Sequence, residues 1–133
     1  MKWWLTTHYP HRSPNHPWHV YIKSEYEDKA KKINIGDRVA FYELKQKAGR
    51  QAVVKFARVS AAMQKNFNTD GLEERWEWEL TCSGHESGKP VGHEQACKII
   101  KRRGAGAMRI RTGVKQLTEE QFNALRVAAG LKQ

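Results

Sequence analysis

GDRVAFYEL, at residues 36–44, is the stretch that decides the fold. Its main part, RVAFYEL at residues 38–44, is rich in the β-branched and aromatic residues that favour strands. A basic stretch at residues 45–51 (KQKAGRQ) follows, and then a second strand-forming run at residues 52–61 (AVVKFARVSA). Two such runs joined by a short polar loop predict a hairpin in the middle of the chain.

Further strands are predicted on both sides of this hairpin. Residues 2–7 (KWWLTT) and 108–117 (MRIRTGVKQL) are strand-like, and residues 18–22 (WHVYI) form a short extended piece. In residues 75–82 (RWEWELTC) apolar and polar residues alternate, which predicts a strand with one buried face. The expected inward residues are Trp76, Trp78, Leu80 and Cys82, and the expected outward residues are Glu77, Glu79 and Thr81. Residues 66–71 are predicted to turn and the glycine-rich residues 83–92 to form a loop.

Three short helices are predicted between and after the strands. Ser24, with Glu27 as its capping-box partner, is a candidate N-cap for a helix that reaches about residue 32. Residues 93–103 are predicted to form a second helix. Thr118 and Gln121 form a clear capping box for the last helix, whose inward stripe is expected at Phe122 and Leu125.

Five to six strands with short flanking helices predict an α+β domain. The chain has 133 residues and shows no linker, internal repeat or low-complexity stretch. A single domain over residues 1–133 is therefore expected, with a small, bent sheet or pseudo-barrel.

The charge balance is the first strong functional signal. Lys and Arg number 24 against 14 Asp and Glu, a formal net charge of +10, and the isoelectric point is about 9.8. Such an excess attracts polyanions, of which nucleic acid is the commonest. Solubilising surface charge is the alternative interpretation. A membrane surface is less favoured because no basic amphipathic helix and no lipidation motif is found.

No motif in the sequence indicates catalysis or a cofactor. Walker, G-x-S-x-G and helix-preceding G-x-G-x-x-G motifs are all missing. Cys82 and Cys97 fit apolar core positions better than a nucleophile pair with a histidine. With only two cysteines, no signal peptide and no apolar run of transmembrane length, a cytoplasmic chain with reduced thiols is expected.

The spacing of cysteines and histidines leaves one metal hypothesis open. Cys82-x2-His85 and His93-x3-Cys97 resemble the paired ligands of structural zinc sites. The predicted strand and helix explain the same two cysteines as core residues, so no metal is assigned.

Aromatic and basic residues indicate how nucleic acid would be held. Trp18 follows a proline-rich polar segment, residues 8–17, where a large ring has no obvious core to enter. Aromatic rings beside basic residues are what unpaired or flipped bases stack on. A C-terminal basic cluster would contact phosphates or, alternatively, form a solvated face. Its members are Lys98, Lys101, Arg102, Arg103, Arg109, Arg111 and Lys115.

Three segments together resemble the EVE domain family. Residues 2–10 (KWWLTTHYP) are similar to its opening K-Y-W-L-x-K-S-E-P, and residues 36–42 (GDRVAFY) match its G-D-x-V-x-F-Y strand. Residues 108–125 resemble its last strand and T-x-E-E-[FW] helix. The resemblance implies a PUA-like pseudo-β-barrel related to ASCH and YTH domains. It also implies a pocket for a modified base, in several relatives 5-methyl- or 5-hydroxymethylcytosine flipped out of DNA, often as the specificity domain of a nuclease.

The resemblance also suggests site residues, with departures at the pocket. The family's K-S-E is Thr7-His8-Tyr9 here, and its W-D-G stretch is represented by Trp18 followed by His19. The base pocket is expected at Trp18 as the stacking platform, Tyr42 and Trp78 as walls, and Thr7, His8 and Tyr9 at the base edge. Phosphates are expected at Arg12, Lys23, Arg102, Arg103, Arg109, Arg111 and Lys115.

Three alternatives stay open beside a DNA reader. PUA and YTH relatives read RNA, so an RNA-binding module is one. ASCH relatives include hydrolases of modified nucleosides, although this sequence shows no Lys-Glu-Thr constellation at a plausible pocket. The third is an interaction domain whose charge is incidental.

Overall fold

The protein is described by a computed structural model over residues 1–8, 18–44, 50–65, 77–104, 106–110 and 112–132. The candidate residues Tyr9, Arg12 and Arg111 lie outside these ranges, as do residues 45–49 and the turn expected at 66–71. The described part contains eight strands and three α-helices, which confirms the α+β class with more strands than expected. No helix in these ranges is long and apolar enough to span a membrane.

The strands are β1 (Trp3–His8), β2 (Val20–Ile22), β3 (Arg38–Glu43), β4 (Ala52–Val59), β5 (Gln64–Lys65), β6 (Trp78–Leu80), β7 (Cys82–Gly92) and β8 (Val114–Leu117). The helices are α1 (Glu27–Lys31), α2 (His93–Ile100) and α3 (Glu119–Ala128). A five-stranded sheet has the order β7-β4-β3-β1-β8, and a three-stranded sheet has the order β2-β6-β5. The β3–β4 pairing is antiparallel as predicted, whereas β1 and β3 are parallel and end together at His8 and Glu43.

The five-stranded sheet is buried on both faces. In β3, Val39 and Phe41 face one side and Ala40 and Tyr42 the other, because successive strand residues alternate. Helices α2 and α3 cover the second side and form the helix-side core, whose members include Leu5, Ala40, Tyr42, Val53, Phe56, Ala96, Cys97, Ile100, Phe122 and Leu125. The smaller sheet and α1 cover the first side and form the sheet-side core, with Trp4, Val20, Ile22, Ala30, Val39, Phe41, Ala57, Leu80 and Cys82. Double burial explains the unbroken apolar run in β3.

A buried carboxylate joins β1 to the turn before β3. Asp37 is only 2% exposed. It accepts hydrogen bonds from the backbone N–H of Lys2 at 3.0 Å and of Asn34 at 2.9 Å, and from the indole N–H of Trp4 at 3.0 Å. The aspartate of GDRVAFY and the second tryptophan of KWWL therefore have a structural role.

The glycine-rich residues 83–92, predicted as a loop, lie instead in β7. This strand is at the edge of the larger sheet, and its pairing with β4 shifts register twice. A Cβ at Gly88 would lie 2.8 Å from the Cβ of Ala129, which directly follows α3. Glycine here permits close packing of the helix end on an edge strand, rather than marking a loop.

Other boundaries also differ from the sequence prediction, and the helix predicted at residues 93–103 ends at Ile100. The predicted strand at 108–117 is strand only in β8, because Ala107 and Met108 enter the helix-side core through turns. Of the strand predicted at residues 75–82, residues 75 and 76 lie outside the described ranges, and the described part does not continue as one strand: β6 ends in the smaller sheet and β7 begins in the larger one. Ser24 starts a single 3₁₀ turn, and α1 begins at Glu27 without a side-chain cap.

The capping box of α3 is confirmed and carries a stability prediction. The Thr118 hydroxyl accepts from the Gln121 N–H at 3.1 Å, and the Gln121 side-chain oxygen accepts from the Thr118 N–H at 2.9 Å. Thr118→Ala is expected to lower the free energy of unfolding by about 1 kcal/mol, the usual cost of losing an N-cap. Urea unfolding would measure it, and an unchanged midpoint would contradict it.

Candidate functional site

Trp18 lies just before β2 and is surrounded by aromatic and cationic groups. The imidazole of His8 stacks on its indole with ring centroids 3.5 Å apart and planes 10° apart. The ammonium of Lys55 lies 4.4 Å from the Trp18 ring centroid. The ring of Phe41 meets Trp18 edge-on at 5.7 Å. His8, Trp18, Phe41, Lys55 and His85 are called the Trp18 site below.

The fold brings these residues together from distant parts of the chain. His8 is the last residue of β1, and Phe41 is close to the end of the parallel strand β3. Alternation along the strands turns His8 and Phe41 to the sheet-side face. His85 in β7 lies 2.9 Å through its Nε2 from the Trp18 carbonyl oxygen, which holds the Trp18 backbone. The Trp18 site thus lies at the end of the larger sheet where strands β1 and β3 both terminate.

The electrostatics of this end of the sheet are set by one half-buried lysine and by an ion pair between the buried Glu43 and the half-exposed Arg50. Glu43 is 7% exposed and accepts from Arg50 through its backbone N–H at 2.8 Å, Nε at 3.0 Å and Nη2 at 3.2 Å. Burial tends to raise the pKa of Glu43, but the Arg50 hydrogen bonds and the charges of Arg50 and His8 lower it overall. Burial and the charge of Arg50 lower the pKa of Lys55.

A partly desolvated cation beside an indole is a favourable cation–π arrangement, worth roughly 0.5–2 kcal/mol. Both Lys55 and Arg50 also present N–H donors at this end of the sheet. The Trp18 site therefore suits a planar ring that carries hydrogen-bond acceptors.

Tyr42 and Thr7 are placed on the opposite face of the sheet. Tyr42 is 2% exposed and belongs to the helix-side core. Its hydroxyl lies 2.8 Å from Nδ1 of His93, whose Nε2 lies 3.2 Å from the Gly104 carbonyl oxygen. Burial, followed by the nearby Cys97, raises the pKa of Tyr42 to about 12. Thr7 is in register with Tyr42, so both side chains lie across the sheet from Trp18.

Trp78 is half-buried in β6 and packs against the sheet-side core. It pairs with Ile22, at the far end of β2 from Trp18. Four residues of extended chain span about 13 Å, so the two indoles are not neighbours along this strand. Of the described pocket candidates, the structure brings only His8 to Trp18, while Thr7 and Tyr42 neighbour each other on the opposite face.

The candidate phosphate-binding residues that the structure describes lie in three places. Lys23 directly follows β2 and is half-buried. Lys115 lies on the edge strand β8. Arg102, Arg103 and Arg109 belong to the connection between α2 and β8, and Arg103 and Arg109 are exposed.

The connection between α2 and β8 returns to the end of β1. The Thr6 hydroxyl donates to the Gly113 carbonyl oxygen at 2.6 Å. On the helix side, the Gly104 carbonyl lies against His93. The basic connection therefore borders the same end of the sheet as the Trp18 site.

The four residues of the zinc hypothesis do not meet. Cys82 belongs to the sheet-side core and Cys97 to the helix-side core, on opposite faces of the larger sheet. Within the described ranges, no group of three His, Cys, Asp or Glu is placed to hold a metal. Burial raises the pKa of Cys82 to about 12, as expected for a thiol in a core.

Sequence reasoning missed four residues near Trp18: Phe41, Arg50, Lys55 and His85. A signal existed for Lys55, since a lysine inside the apolar run AVVKF of β4 occupies a position where charge is rarely buried without reason. His85 was singled out only as a candidate zinc ligand, and its place in a predicted loop gave no reason to expect it beside Trp18.

Comparison with known proteins identifies the fold. No protein-family model matches the chain, and no curated protein matches it by sequence. A protein of Agrobacterium tumefaciens of solved structure has a TM-score of 0.64 at 18% identity, over 98% of this chain and 94% of that one. The ASCH protein of Zymomonas mobilis has a TM-score of 0.63 at 11% identity, over 99% of both chains. Human THYN1, in complex with 5-methylcytosine-containing DNA, has a TM-score of 0.62 at 9% identity, over 96% of this chain and 98% of that one.

These likenesses confirm the fold that the sequence resemblance implied.

Proposed function

We propose that this chain, which has the PUA-like fold of EVE and ASCH domains, binds nucleic acid by taking one base onto Trp18. The base proposed is a modified cytosine, 5-methyl- or 5-hydroxymethylcytosine, flipped out of DNA. The observation that carries the proposal is the Trp18 ring with another planar ring at stacking distance and a lysine ammonium beside it.

The proposed mechanism starts from the cost of flipping a base, a few kcal/mol. Stacking on an aromatic ring returns roughly 1–3 kcal/mol per base. Lys55 and Arg50 lie at the same end of the sheet as Trp18 and can donate hydrogen bonds to the carbonyl and ring-nitrogen acceptors of a pyrimidine.

Charge supports nucleic acid as the partner. The net charge of +10 favours encounter with a polyanion. The exposed Arg103 and Arg109 border the same end of the sheet and are proposed to hold phosphates beside the flipped base. The complex of human THYN1 with 5-methylcytosine-containing DNA is a precedent on the same fold. A role as the specificity module of a cytoplasmic nuclease partner is the corresponding biological proposal.

A binding role is favoured over nucleophilic catalysis at the cysteine that contacts a histidine. Cys97 Sγ lies 3.4 Å from Nε2 of His93. Burial raises the pKa of Cys97, although Arg102 opposes the shift. The thiol is therefore a poor nucleophile at neutral pH.

The test is binding to matched duplexes that carry cytosine, 5-methylcytosine or 5-hydroxymethylcytosine, measured by fluorescence anisotropy near physiological salt. We expect at least tenfold tighter binding to one modified duplex, about 1.4 kcal/mol. Single-stranded RNA of the same sequence is the competitor. Equal, salt-sensitive binding to all three duplexes would leave only nonspecific phosphate contacts. Stronger competition by RNA than by modified DNA would make the chain an RNA-binding module.

A further inference from the structure

His8 occupies the position on Trp18 that a stacked base needs. The two rings are nearly parallel, with centroids 3.5 Å apart, which is the separation of stacked aromatic planes. Lys55 approaches the same indole to 4.4 Å. An imidazole and an ammonium this close do not fit on one face of the ring, so both faces of Trp18 are covered.

Trp18 is held both at its backbone and at the edge of its ring. Its carbonyl is fixed by His85, and Phe41 supports the edge of its ring. The His8 backbone is fixed by pairing with Glu43 and by its carbonyl, which accepts from the Leu44 N–H at 3.1 Å. Rotation about its two side-chain torsions would take the imidazole off Trp18 without breaking this backbone pairing, against its attraction to the Glu43 carboxylate.

We propose that His8 is a stand-in ring, which occupies the base position on Trp18 and leaves it when a base binds. The inference rests on the proposed function and names what regulates access to that site. It also explains a departure from the EVE pattern, since His8 stands where that family has the serine of K-S-E. A serine cannot stack, whereas a histidine competes with every base for the same surface.

A competitor ring changes affinity without changing selectivity. Displacing His8 costs the same whichever base arrives, so it reduces the apparent affinity for all bases by one common factor. A direct contact between His8 and the base edge would do the opposite, since its loss would weaken binding and alter the ratio between bases.

The test compares wild type, His8→Ala and His8→Phe in anisotropy titrations with the 5-methylcytosine and 5-hydroxymethylcytosine duplexes, in both of which the base is proposed to reach Trp18. His8→Ala is expected to bind both duplexes tighter by the same factor, roughly three- to tenfold, which is the range for losing one aromatic pair. His8→Phe keeps a ring on Trp18 and is expected to bind both more weakly, with the ratio again unchanged. Thermal unfolding of each variant shows whether it is folded.

A second measurement follows His8 directly. The imidazole proton signals of the free protein are expected to be shifted upfield by the Trp18 ring current, and to lose this shift when the modified duplex saturates the protein. A shift that persists in the complex would overturn the proposal, as would weaker binding by His8→Ala. If neither wild type nor His8→Ala bound any duplex, the proposed function would fail and this inference with it. Binding that depended on Trp18 but was not strengthened by His8→Ala would overturn only the inference.

Discussion

Replacing Trp18 with alanine is expected to weaken binding to the preferred modified duplex roughly 5- to 150-fold. The range corresponds to the loss of one base–aromatic stack of roughly 1–3 kcal/mol. Trp18 is the one ring at the end of β1 and β3 that already carries a stacked partner and a lysine in the described structure. Affinity for an unmodified duplex should fall much less, because phosphate contacts dominate there. Anisotropy titrations at one fixed salt concentration measure both.

Trp3→Ala is the matched control for this substitution. Trp3 is also a half-buried tryptophan, but it packs against the helix-side core at the start of β1, the opposite end from the Trp18 site. Its loss should lower stability while leaving the preference for modified cytosine intact. If Trp3→Ala removed the preference as fully as Trp18→Ala, the base would not be placed on Trp18.

Asp37→Ala is expected to lower the free energy of unfolding by about 3 kcal/mol or more. The buried carboxylate accepts three hydrogen bonds, from Lys2, Trp4 and Asn34. Hydrogen bonds to a charged group are worth about 1.5–3 kcal/mol each, and alanine leaves the buried indole N–H of Trp4 unpaired. Because domains of this kind are stable by only about 5–15 kcal/mol, the loss would be a large share of the total. Urea denaturation of the wild type and of Asp37→Ala measures this difference in the free energy of unfolding.

Two further variants define the cause of that loss. Asp37→Asn keeps one acceptor oxygen and should be destabilised less than Asp37→Ala. Asp28→Ala removes an exposed aspartate from the first turn of α1 and should cost less than about 1 kcal/mol. Equal losses from Asp28→Ala and Asp37→Ala would mean that the carboxylate network does not hold β1 to the turn before β3.

The parts of the fold that sequence reasoning predicted have strong local signals. β1, β3 and β4 are dense in β-branched and aromatic residues, and a strand of this composition forms wherever it is buried. The capping box of α3 is a contact between residues three apart, so it can be read without tertiary information. β7 was missed because an edge strand rich in glycine has little side-chain packing, and its stability comes from backbone pairing with β4.

The candidate site was predictable only at Trp18 and His8. Tyr42 was expected beside Trp18, and Phe41 lies there instead. Both residues of β3 are buried, so an apolar run gives no indication of which face carries the site. Lys55 and His85 reach Trp18 through the pairing of β4 with its neighbours, over sequence separations that no local pattern encodes.

The sequence by itself determined the α+β class, the positions of the main strands along the chain, the last helix and its cap, and a positive charge suited to a polyanion. These follow from composition and from contacts between near neighbours. Only the tertiary structure decided that His8 lies on Trp18, that Tyr42 belongs to the opposite core, and that Cys82 and Cys97 are kept apart. The physical reason is that a sheet covered on both faces sorts neighbouring residues to opposite sides, and the parallel pairing of β1 with β3 determines which chain ends meet.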